Sequence, residues 1–107
     1  MAYSPDAFPS DPAIANVTMV AANTEYNVQM PRTVKKFVIH TRDESIFRLA
    51  FDTGRVAGSV PPFLTILAGK VYYEDFINLR VADVDWDGTL YFASPNAGRI
   101  VEVLYWV

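Results

Sequence analysis

Apolar and polar residues alternate with a period of two along much of the chain, the repeat of strands whose two faces meet different surroundings. Residues 14–21 predict a first strand with Val17, Met19 and Ala21 on one face. Residues 25–30 follow, Tyr26, Val28 and Met30 alternating with Glu25, Asn27 and Gln29, and Pro31 ends them. Residues 34–42 set Phe37 and Ile39 against Val38 and His40, and residues 46–52 set Phe47, Leu49 and Phe51 against Arg48 and Ala50. The short polar link Asp43-Glu44-Ser45 predicts that these two pair as an antiparallel hairpin.

Residues 53–62, rich in glycine and proline, form the longest expected loop, a length often tied to function. Short strands are expected at 63–67 and 71–74, and a longer one at 76–84 with Ile77, Leu79 and Val81 on one face. Asp87-Gly88 signals a tight turn into a closing hairpin, residues 89–93 and 99–106, with Pro95 and Gly98 between them. The last strand is apolar on both faces: Val101, Val103 and Tyr105 on one, Ile100, Leu104 and Trp106 on the other. Such a strand belongs in the middle of a sheet or against a partner. No helix, heptad or internal repeat emerges. The expected fold is all-β: a single antiparallel β-sandwich, jelly-roll-like, or a small barrel.

The first 13 residues break this pattern. Pro5, Pro9 and Pro12 hold them extended, an N-terminal arm ahead of a sandwich domain at 14–107, with Tyr3 and Phe8 as its large apolar groups. An arm of this kind is either a loose tail or a docking device whose Tyr3 and Phe8 fill pockets on a neighbouring subunit.

Composition narrows the function classes. At 107 residues there is room for one core and no separate catalytic lobe. A net charge of −3 with scattered basic residues argues against a nucleic-acid partner. The absence of cysteine excludes disulfides and thiolate metal sites. No secretion signal and no apolar run long enough to span a bilayer are evident, so a soluble protein without a membrane partner is expected.

Candidate chemistry is sparse. Asp83, Asp85 and Asp87 before Gly88 match the first half of a calcium loop, but Ser94 stands where a bidentate glutamate belongs, so strand alternation and a turn explain them as well. His40 is the single histidine and has no nucleophile motif around it. The carboxylates Asp52, Glu74, Asp75 and Glu102 are not brought together by spacing. No cofactor and no enzymatic activity are expected. Aromatic residues come in adjacent pairs, Tyr72-Tyr73, Tyr91-Phe92 and Tyr105-Trp106. Neighbours on a strand face opposite ways, so one of each pair points away from the core. Tyr73, Tyr105 and Trp106, with Tyr3 and Phe8, are the candidate partner contacts.

Several stretches together resemble small structural proteins of tailed bacteriophages. They are Asn23-Thr24-Glu25-Tyr26, the run from Met30 and Pro31 through Lys35-Lys36-Phe37 to Ile39, Phe47-Arg48-Leu49-Ala50-Phe51, the turn ending Ala68-Gly69, and the stretches 89–98 and 101–106. The resemblance covers residues 23–107 and its motifs are structural. It implies a virion protein of the decoration, or cement, type. Such a protein sits on the capsid exterior, often as a homotrimer, and bridges major capsid subunits. The alternative is a host-recognition module of a head or tail fibre, binding glycan or protein through loop 54–62.

Overall fold

A computed structural model describes residues 12–31, 34–74 and 87–107. They form eight strands: β1 (Pro12–Met19), β2 (Tyr26–Gln29), β3 (Lys36–Thr41), β4 (Phe47–Ala50), β5 (Leu64–Ile66), β6 (Tyr72–Glu74), β7 (Thr89–Ala93) and β8 (Arg99–Trp106). The expected strand at 76–84 lies outside the described residues. Sheet A has the order β1-β8-β3-β6 and sheet B the order β2-β7-β4-β5. All pairings are antiparallel.

The logic of this order is a hairpin folded upon itself. β1 pairs with β8, β2 with β7, β3 with β6 and β4 with β5. Rolling that long hairpin until β8 meets β3 and β7 meets β4 gives two sheets of four. This is the eight-stranded jelly roll, and it confirms the all-β sandwich.

The core fills the space between the sheets. Met19, Phe37, Ile39, Val101 and Val103 face inward from sheet A and Phe47, Leu49, Leu90 and Phe92 from sheet B, all fully buried. Burying each such side chain is worth roughly 1.5–3 kcal/mol relative to leaving it in water. The inward positions are those that the alternation marks.

Two expected hairpins are not hairpins. β3 and β4 lie in different sheets, and so do β7 and β8. Each pair is joined by an arch that carries the chain across the core, so Phe37 and Ile39 oppose Phe47 and Leu49 between sheets. Period-two alternation marks which side of a strand is dry, and an arch and a hairpin satisfy it equally. The arches interlock: the Asn23 amide donates to the Ser94 carbonyl at 2.7 Å, and the Gly98 amide to the Met19 carbonyl at 2.7 Å. The Ser94 hydroxyl donates to the Ile46 carbonyl at 3.1 Å. Three sheet-crossing connections thereby satisfy one another's backbone groups at one end of the sandwich.

The first strand also starts earlier than expected. Pro12 and Ala13 are in register with Trp106 and Tyr105. Residues 1–11, with Tyr3 and Phe8, lie outside the described residues.

Candidate functional site: the outer face of sheet A

The outward side chains of sheet A fall into rows, because cross-strand partners share a face. Ile14 is in register with Leu104, Leu104 with Val38, and Val38 with Tyr73. The result is one apolar row across all four strands. Its ends are open to water, Ile14 being 72% and Tyr73 64% exposed, while Leu104 and Val38 between them are half-buried by their neighbours.

The flanking rows are polar or mixed. On one side Pro12, Trp106 and Lys36 align, with the Lys36 ammonium 4.3 Å from the centre of the Trp106 ring, a cation–π contact. On the other side Asn16, Glu102 and His40 align. The Glu102 carboxylate accepts from Arg42 Nε at 2.8 Å and stands 3.6 Å from His40 Nε2. His40 Nδ1 is 3.1 Å from the Thr41 carbonyl oxygen. A shallow depression of about 240 Å³ lies here, lined by Ile14, Val38, His40, Glu102 and Leu104 with Val103.

The aromatic pairs resolve by strand parity. Tyr73 and Trp106 point outward from sheet A. Tyr72 packs inward with its ring centre 5.9 Å from that of Phe37, and Tyr105 packs against the core. Of Tyr91 and Phe92, Phe92 is buried between the sheets and Tyr91 lies on the outside of sheet B.

No protein-family model matches this chain, and neither the curated proteins nor the solved structures give a match.

The outside of sheet B is built differently. Ala50 and Ala93 leave room on it, and loop 51–63 folds down so that Val56 is fully buried against them, with Tyr91 and Phe63 around it. Arg48 Nε donates to the Val56 carbonyl at 2.6 Å. The Glu25 carboxylate takes the Thr53 hydroxyl and the Gly54 amide, each at 2.8 Å. The loop that sequence marks as a candidate recognition element is thus tied to the sheet at its start and middle. At its far end a depression of about 260 Å³ opens among Leu49, Phe51, Asp52, Pro62, Phe63 and Leu64.

The other sequence candidates are dispersed. Asp87 accepts from the Thr89 amide at 3.1 Å, which closes the turn at Gly88; Asp83, Asp85 and Asp75 lie outside the described residues. Glu74 accepts from the Tyr72 hydroxyl at 2.9 Å, on the opposite face of sheet A from Glu102. Asp52 belongs to sheet B's loop. Among the described residues no three histidine, aspartate or glutamate side chains gather as metal ligands. Sequence reasoning missed Ile14, Val38 and Leu104 as one surface. The available signal was the last strand, apolar on both sides, but joining it to Ile14 and Val38 requires the strand order.

Proposed function

We propose that this protein is a non-enzymatic virion structural protein of the decoration type, which binds the exterior of a bacteriophage capsid and bridges major capsid subunits. The observation that carries the reading is the apolar row Ile14–Leu104–Val38–Tyr73 on the outer face of sheet A. A four-strand row of this kind offers flat area and no reactive group, which suits assembly. Its likeness to phage structural proteins in residues 23–107 supplies the setting, and the jelly roll is an architecture used in viral capsids. Several weak contacts per molecule, repeated over a shell, add up by avidity to a clamp.

The test is copy number in purified particles, measured against the major capsid protein. A ratio comparable to the capsid protein is expected, because only the repeated shell offers that many equivalent positions. A ratio of a few per cent or less would overturn the reading. Replacing Tyr3 and Phe8 together with alanine is expected to weaken attachment and leave the melting temperature of the free protein unchanged.

A second reading, glycan recognition by a fibre module, draws on the depression beside Phe51, Phe63 and Asp52. Under it, Asp52→Ala abolishes host-cell binding; under the decoration reading the substitution leaves capsid attachment intact.

A further inference from the structure

The apolar row on sheet A is flanked by chemistry that matches itself. β8 and β3 are neighbours, and their outward pairs are complementary in kind: Leu104 with Val38, Glu102 with His40, and Trp106 with Lys36. A two-fold axis lying in the plane of contact, parallel to the strands and between β8 and β3, lays each β8 residue of one copy over the β3 residue of the other. The pairs that meet across the contact are then the pairs already adjacent within the sheet. Glu102 faces the second copy's imidazole, Trp106 faces its ammonium, and Leu104 faces its valine. The same axis exchanges β1 and β6, so Ile14 meets the second copy's Tyr73.

From this self-complementarity we propose that the outer face of sheet A is the interface of an isologous dimer, two copies packed face to face. An isologous contact requires a patch complementary to itself, which this face is. Sheets pack about 10 Å apart, a gap that Leu, Val, Ile and Tyr side chains from two faces fill. The outside of sheet B, already covered by loop 51–63 through Val56, does not compete for the role. The inference uses the same apolar row as the capsid reading and concerns the free chain in solution, where the sedimentation mass tests it independently of copy number in particles.

The experiment uses the full chain. Sedimentation equilibrium is expected to return the dimer mass, with Leu104→Glu and, separately, Tyr73→Lys shifting it to the monomer while the circular dichroism spectrum stays that of the parent. Because the chain has no cysteine, single cysteines report cleanly. Ile14→Cys and Tyr73→Cys proteins, mixed and treated with a short bis-maleimide, are expected to cross-link to each other. Within one copy these positions are three strand spacings apart, roughly 14 Å. A monomer or trimer mass for the parent would overturn the proposal. So would cross-linking of Ile14→Cys to itself in preference to Tyr73→Cys, which would place the axis elsewhere.

Discussion

Tyr72 keeps its proton to about pH 12, because burial disfavours the phenolate and because the Glu74 carboxylate accepts its hydrogen bond and repels the second charge. An unfolded tyrosine titrates near 10. The contribution of Tyr72 to stability is therefore complete below about pH 10 and is lost as pH rises through 12. Absorbance titration of the parent and of Tyr72→Phe is expected to assign the latest-ionising tyrosine to this position, and Glu74→Gln to move it back down. Asp43 shows the opposite sign. Burial pushes it up, yet hydrogen bonds from Ser45 and Arg99 outweigh that and hold it below its usual value. Its contribution is present above the ordinary carboxylate range and fades as pH falls through the lowered value. Val56 tests packing: Val56→Ala is expected to cost about 2 kcal/mol in urea unfolding, since a fully buried loop side chain is removed from a small satellite core.

At the scale of elements, the arches and the covering loop decide most of what is distinctive. Gly98 has φ +76° and empty space where a Cβ would go, so its requirement is conformational alone. Gly98→Ala is expected to lower stability by about 1 kcal/mol and Gly98→Asn by less, measured by thermal melting. Glu25 fastens the loop through Thr53 and Gly54. Glu25→Ala is expected to speed tryptic cleavage after Arg55 severalfold while global stability falls by roughly 1 kcal/mol. These elements also mark where reading the chain succeeds and where it stops. Residues such as Phe37, Phe47 and Val103 announce their inward faces, because alternation is a local property. The closing strand, with apolar residues on both sides, announces a central place, and β8 does lie between β1 and β3. The partner of each strand was not legible. Asp43-Glu44-Ser45 has the length of a hairpin turn, and nothing local distinguishes a turn that reverses within a sheet from one that crosses the core. The apolar row was hidden for the same reason, since its four members come from four strands distant in sequence. The burial of Val56 was hidden too: it depends on Ala50 and Ala93 standing side by side beneath the loop.

At the scale of the whole molecule, the nested pairing of β1 with β8 and β2 with β7 means that most strand contacts close long stretches of chain. Folding is expected to take milliseconds to seconds, slow for this size, and to be readable as a single chevron in stopped-flow fluorescence of the tryptophans. The register of Pro12 with Trp106 has a consequence during synthesis. A nascent chain carries β1 and β3 out of the ribosome with no strand between them to hydrogen-bond, and sheet A has no centre until residues 99–106 have been translated and released from the exit tunnel. Every premature stop before that point leaves a polypeptide that cannot close and stays open to proteases.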